Sequence, residues 1–296
     1  MALADGPKIV TVVEGRRLRL SSLDKVMYPV TGTTKAQVLD YYARIAAVLL
    51  PHLSGRPVTR VRFPHGVSQA GFFEKNVPAG VPEWVRRAGR DPVFPLIDDL
   101  ASLTFFANLN SLELHVPQWR FDGVGREAVP TNPDRLVIDL DPGPGMGLRE
   151  CATVALIVRD RLTAIGLEPI PVTSGSKGMQ MYAPLPGVHT SDEIRDTVQQ
   201  LARELTSTHP QLVVWKMAKE LRSGRIFLDW SQNVAAKTTV CPYSLRGRDE
   251  PTVATPREWV EVERGAAGKP FVQLRIEDVL DRVARDGDPA AALVGG

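Results

Sequence analysis

Only two cysteines, Cys151 and Cys241, occur in 296 residues, too few for a disulfide framework or a structural zinc ligand set. No apolar run approaches the ~20 residues that a membrane-spanning helix needs. The first residues, Met1 to Lys8, lack the basic-then-apolar pattern of a secretory signal. A reducing, cytoplasmic setting without membrane contact is expected. An excess of one charge is missing too. Lys and Arg number 36 against 34 Asp and Glu, a formal net charge of +2. No overall basic field therefore draws the protein to nucleic acid, and any such site has to come from local clusters. Neither an internal repeat nor a low-complexity linker interrupts the chain, whose length suits one large domain or two ordinary ones. Its 43% hydrophobic and 24% charged residues are enough for a sizeable core.

What is present centres on Leu136-Val137-Ile138-Asp139-Leu140-Asp141-Pro142-Gly143-Pro144-Gly145. The alternation reads as a strand with Leu136, Ile138 and Leu140 on one face and Val137, Asp139 and Asp141 on the other. The Pro-Gly-Pro-Gly turn then stops it. Two carboxylates side by side repel and call for a cation, and oxygen ligands of this kind suit Mg²⁺ or Mn²⁺. On its own, an Asp-x-Asp is better explained by a solvated strand end. A third acid, Asp229, falls in Ile226-Phe227-Leu228-Asp229-Trp230, another alternating strand, where it shares a face with Phe227.

Cations and aromatics accompany these acids. A loose arm over about residues 1–14, or a strand from Ile9 to Val13 within it, is followed by Arg16, Arg17 and Arg19. Thr34 and Gln37 form a capping box for a helix whose core face is Val38, Tyr41, Tyr42, Ile45 and Leu49. Lys35 sits in its first turn, where a helix N-terminus and an ammonium suit an anion. Arg60 and Arg62 share a strand face. The adjacent Phe72 and Phe73 either stack a base or fill a strand covered on both sides. Glu113 and His115 share the polar face of a strand from Ser111 to Pro117. Helices are expected over Leu148–Ile165, from a second capping box at Thr190, and over Ile276–Ala284. Strands are expected over Pro169–Thr173, Met179–Ala183 and Gln211–Met217. The turn Ser174-Gly175-Ser176-Lys177-Gly178 suits a phosphate but is not a Walker A loop. Residues 287–296 read as a frayed tail.

Taken together, Asp139, Asp141 and Asp229 with these cations suggest two divalent metals and a nucleoside triphosphate, hence nucleotidyl transfer. Spacing alone does not separate this from two-metal hydrolysis by a nuclease.

The chain resembles the polymerase domain of bacterial DNA ligase D, within the archaeo-eukaryotic primase superfamily. The resemblance rests on Asp24-Lys25-Val26-Met27-Tyr28-Pro29, Thr31-Gly32-Thr33-Thr34-Lys35, Phe72-Phe73-Glu74-Lys75 and Leu114-His115-Val116-Pro117-Gln118-Trp119-Arg120. It continues in Asp139-Leu140-Asp141-Pro142-Gly143, Thr173-Ser174-Gly175-Ser176-Lys177-Gly178, Phe227-Leu228-Asp229-Trp230-Ser231-Gln232-Asn233 and Pro242-Tyr243-Ser244-Leu245-Arg246-Gly247-Arg248. These stretches occur in family order over nearly the whole chain.

The resemblance implies an α/β (α+β) primase fold: an RRM-like catalytic sheet joined with an N-terminal α/β part across a cleft, as a single catalytic domain over 1–296. It implies Asp139, Asp141 and Asp229 as catalytic metal ligands for two divalent cations, Mn²⁺ or Mg²⁺. His115, Ser174, Lys177 and Arg246 match nucleotide-contacting positions, with Gln232 beside them. Lys25 and Lys35, with Ser22 at the position where asparagine is frequent, match a pocket for a downstream 5′-phosphate. Phe72 and Phe73 match template-stacking aromatics, and Arg222 a basic position near the primer terminus. Val61 replaces a frequent basic residue, and Val85 to Pro95 is shorter than the loop many ligase-linked members use to join two ends. These features lead to the expectation of a monomeric, nucleoid-associated bacterial polymerase. It would fill short gaps in 5′-phosphorylated DNA from NTPs in preference to dNTPs, with Ku or a DNA ligase as candidate partners. A polymerase module of end joining and a non-catalytic gap-binding module are the alternatives.

Overall fold

A computed structural model of the protein describes residues 8–295. The chain begins with a hairpin of β1 (Lys8–Val13) and β2 (Arg16–Ser21). Helix α1 (Lys35–Leu53) starts at the expected box, with Thr34 capping and Gln37 reaching back to its N–H. Strands β3 (Thr59–Arg62) and β4 (Phe72–Glu74), helix α2 (Leu100–Asn108) and strand β5 (Ser111–Val116) follow. The second half runs β6 (Arg135–Pro142), α3 (Leu148–Thr163), β7 (Ile170–Thr173), β8 (Met179–Pro184) and α4 (Ser191–Thr208). It continues through β9 (Val213–Val214), β10 (Ile226–Asp229), β11 (Thr239–Val240) and β12 (Thr255–Pro256) to α5 (Trp259–Ala266) and α6 (Ile276–Asp286).

These strands form two main sheets, so the mixed α/β class is as expected. One has the order β11-β5-β3-β4, the other β9-β10-β6-β8-β7-β12. In the larger sheet every pairing is antiparallel except β9 with β10. The alternation in β6 and β10 works as the pattern predicts. Leu136, Ile138, Leu140, Ile226 and Leu228 pack with Val154, Val158, Val198 and Val262 of α3, α4 and α5. The opposite face turns Val137 and Tyr182 toward Val240 of the smaller sheet's β11. That smaller sheet packs Leu112 and Leu114 against the predicted α1 stripe, while Val61, opposite Glu113 and Phe73, is on the other face. The aspartate-bearing face of β6 thus looks across at the other sheet.

Some expectations need correction. Only Val213–Val214 of the segment Gln211–Met217 is paired, because the chain turns away once it has met β10. Of the N-terminal arm, residues 8–13 are paired in β1, while residues 1–7 lie outside the described residues. The tail does not fray through residue 295: Ala290 and Leu293 are buried in the layer between the sheets. Strand β5 carries Glu113 and His115 on one face as expected, with all six of its residues buried.

Candidate active site

Residues opposite each other in an antiparallel ladder share a face. Asp139 in β6 stands opposite Gln180 in β8 and Asp229 in β10, and Asp141 follows on the same face. One polar row therefore crosses three strands. Asp229 accepts hydrogen bonds from the Ser231 N–H at 2.9 Å, Ser231 Oγ at 2.5 Å and Gln232 Nε2 at 2.8 Å. Lys237 donates in turn to Ser231 Oγ. The crowding has an electrostatic consequence. Burial, then the charges of Asp141 and Asp229, push the Asp139 carboxyl well above the usual carboxylate range. Burial and Asp229 push Asp141 up as well.

A cavity of about 480 Å³ opens on this row, a size suited to a small-molecule ligand. Its walls include His115, Asp139, Asp141, Lys177, Arg222 and Arg246. Ser174 and Gln232 also line it. Arg246 donates to the Ser174 carbonyl at 2.6 Å and pairs with Glu113 at 3.3 Å. Glu113 also meets His115 Nε2 at 2.7 Å and accepts from the Gly247 N–H at 2.8 Å. The Arg222 guanidinium lies 3.7 Å from the centre of the Phe227 ring. Acids on one sheet thus oppose cations carried by the β7–β8 turn and by residues 246–248.

The donor chemistry fits a divalent cation: Asp139 and Asp141 line a polar cavity, and Asp229 stands opposite Asp139 in the ladder without itself lining it. They are not closed into a ready-made ligand set, and among the described residues no three His, Cys, Asp or Glu side chains form one. Gln232, expected beside the nucleotide, is tied to that aspartate.

Phe72 and Phe73 are 45% and 67% exposed, so neither fills a doubly covered strand. Arg62 lies over Phe72, and Phe73 meets His115 edge-on with ring centres 5.7 Å apart. Phe73 lines a second cavity that shares His115, Arg246 and Arg248 with the first. Aromatics and nucleotide-suited groups are therefore contiguous.

The three residues of the expected phosphate pocket also converge. Lys35 is 2% exposed, and its Nζ donates to the Ser21 carbonyl at 2.8 Å. Its N–H reaches the Lys25 carbonyl at 2.8 Å, and the Lys25 N–H the Ser22 carbonyl at 3.1 Å. Lys25 Nζ donates to the Pro64 carbonyl. Ser22 has φ +52°, a left-handed conformation that asparagine adopts more readily than serine.

A family model for the LigD primase-polymerase domain matches residues 34–290. The chain belongs to this family. The multifunctional non-homologous end joining DNA repair protein LigD of Mycobacterium tuberculosis is 47% identical over 281 residues, 92% of this chain and 36% of that protein. LigD of Mycolicibacterium smegmatis is 46% identical over 282 residues, 94% of this chain and 36% of that protein. The bifunctional LigD of Bacillus subtilis is 32% identical over 275 residues, 92% of this chain and 43% of that protein. The chain thus spans well under half the length of these curated relatives. Among solved structures, the polymerase domain from Mycobacterium tuberculosis ligase D in complex with DNA matches with a TM-score of 0.88 and 46% identity. The match covers 94% of this chain and 98% of that one.

Within this LigD-type domain, two contacts at the site have little local signal in the sequence. Gln180 stands opposite Asp139 in the ladder and lines the cavity, and its only signal is a polar residue between Met179 and Met181. Glu113 ties His115 to Arg246. Alternation pairs it with His115, but nothing local brings in Arg246.

Proposed function

We propose that the protein is a template-directed nucleotidyltransferase. It adds nucleotides, NTPs before dNTPs, to a primer 3′-hydroxyl at short gaps or breaks with a downstream 5′-phosphate. The observation that carries this reading is the single cavity in which Asp139 and Asp141 face His115, Lys177 and Arg246. Asp139, Asp141 and Asp229 would hold two divalent cations, Mn²⁺ or Mg²⁺, which supply charge neutralisation and lower the pKa of the attacking hydroxyl. Arg246 and Lys177 bind the triphosphate, with Arg246 aimed by Glu113 and the Ser174 carbonyl. Ser174 and His115 complete the polar wall. Phe72 and Phe73 stack at the template, Arg222 lies toward the primer end, and Ser22, Lys25 and Lys35 seat the 5′-phosphate. Residues from both sheets contribute, so we treat them as one catalytic unit.

The relatives are named for non-homologous end joining, which favours a second reading in which synthesis occurs across paired ends, with Ku or a ligase as partners. Primer extension on a 5′-phosphorylated gap and on paired overhangs, with NTPs and dNTPs separately, compares the two. Asp139→Ala with Asp141→Ala abolishes extension on both and spares gapped-DNA binding. Undiminished extension by that variant sinks the metal assignment. Shortening of DNA with Mn²⁺ and no nucleotides indicates a nuclease instead.

A further inference from the structure

We infer that the outer face of the β1–β2 hairpin docks the phosphate backbone of the DNA duplex downstream of the 5′-phosphate pocket; this rests on the pocket reading above. The ladder pairs Val10 with Arg19 and Val12 with Arg17, which places these four residues on one face, together with Lys8. All five are exposed. The other face turns toward the protein's interior at Leu18 and Arg16. Leu18 is 4% exposed, and Arg16 pairs with Asp99 and lies 4.8 Å from the centre of the Trp84 ring. Asn108 of α2 clamps the hairpin through the Arg19 carbonyl at 3.1 Å and the Ser21 N–H at 3.2 Å. The hairpin's one acid, Glu14, is turned to the Ala101 N–H at 3.1 Å.

Neighbouring arginines are thus used differently. Arg16 is engaged in the fold, while Arg17 and Arg19 make no ion pair among the described residues. Their strand ends at Ser21, whose carbonyl receives Lys35 Nζ, so the outer cations lead directly into the phosphate pocket. Alternate residues of a strand lie about 7 Å apart, close to the axial rise of about two nucleotides along one DNA strand. A positive row of that pitch, rigidly clamped and continuous with a 5′-phosphate seat, matches a duplex backbone in charge and spacing. It reads no base, so the contact is independent of sequence.

The test is fluorescence anisotropy of gapped DNA, without nucleotide or metal, across a range of salt. The downstream side is a hairpin-closed duplex of only a few base pairs or of more than one helical turn, each with a 5′-phosphate or a 5′-hydroxyl. The wild type binds the long duplex more tightly than the short one, by roughly tenfold at low salt. Arg17→Ala with Arg19→Ala erases that advantage and lowers the salt slope by about 2, yet keeps the preference for phosphate over hydroxyl. Arg17→Lys with Arg19→Lys restores most of the slope, which separates charge from misfolding. An alanine variant that keeps the length advantage and slope overturns the inference. So does a loss with an unchanged salt slope, because the two arginines then hold no phosphates. A wild type indifferent to the 5′-phosphate counts against the pocket reading alone and is scored on separate substrates.

Discussion

Glu113 is 6% exposed and joins His115, Arg246 and the Gly247 N–H at one point. Burial alone pushes its carboxyl up, but the His115 hydrogen bond and the Arg246 charge outweigh burial and hold it down, from 4.5 to about 2. A carboxyl lowered in this way stabilises the folded chain above its unfolded value. The contribution is lost as pH falls from 4.5 toward about 2. At neutral pH a depression of this size corresponds to about 3 kcal/mol. Glu113→Gln keeps the volume but leaves Arg246 without its carboxylate, so urea unfolding at pH 7 shows a loss of about that size. The gap between variant and wild type closes as pH falls through that window. A gap unchanged by pH means that packing rather than charge holds the residue. The sequence made the Glu113–His115 pairing legible, since two residues of a strand share a face. Arg246 arrives from far along the chain, and no local pattern announces a partner at that range.

At the scale of elements, the Pro-Gly-Pro-Gly turn does more than end a strand. The Gly143 N–H donates to the Arg225 carbonyl at 2.9 Å, and the Gly224 N–H to the Pro144 carbonyl at 2.9 Å. The turn after the aspartates is therefore fastened to the turn that carries Arg222. A Cβ added at Gly143 would lie 1.8 Å from the Arg222 carbonyl oxygen, so backbone must shift. Gly143→Ala is expected to cost about 3 kcal/mol and to move Arg222 away from the cavity wall. Thermal unfolding measures the first effect. Extension with primers of different length measures the second, as a loss that grows with dependence on the primer end. An alanine variant with wild-type melting contradicts the close approach. The acidic strands themselves were readable, because alternation with period two survives any tertiary context. The clasp between the two turns was not, since it is made by main-chain groups and a missing side chain.

The whole molecule depends on a layer that belongs to neither sheet alone. Val137 and Tyr182 of the larger sheet meet Val240 of the smaller one, and Ala290 and Leu293 close that layer from the C-terminal stretch. The short apolar run after Pro289 carries no period, so it read as a frayed tail. Its value comes from where α6 delivers it. Asp288 accepts from Tyr243 Oη at 2.5 Å and lies 3.1 Å from His52 Nε2, joining the stretch to the core of the smaller sheet. A chain ending at Gly287 loses the burial of Leu293, worth about 2 kcal/mol. It also leaves the buried Tyr243 hydroxyl and His52 without this partner, at about 1–3 kcal/mol more. At roughly 2–4 °C per kcal/mol, melting falls by about 10 °C. Because β11 supplies Thr239 and Val240 to the cavity wall, loosening this layer also lets the two sides of the site drift apart. The shortened chain therefore shows a raised KM for nucleotide at temperatures where it is still folded. Asp288→Asn, which keeps Leu293, shows a smaller melting shift and a near-normal KM. Equal KM for the full and shortened chains would mean that the sheets hold their spacing without the C-terminal stretch.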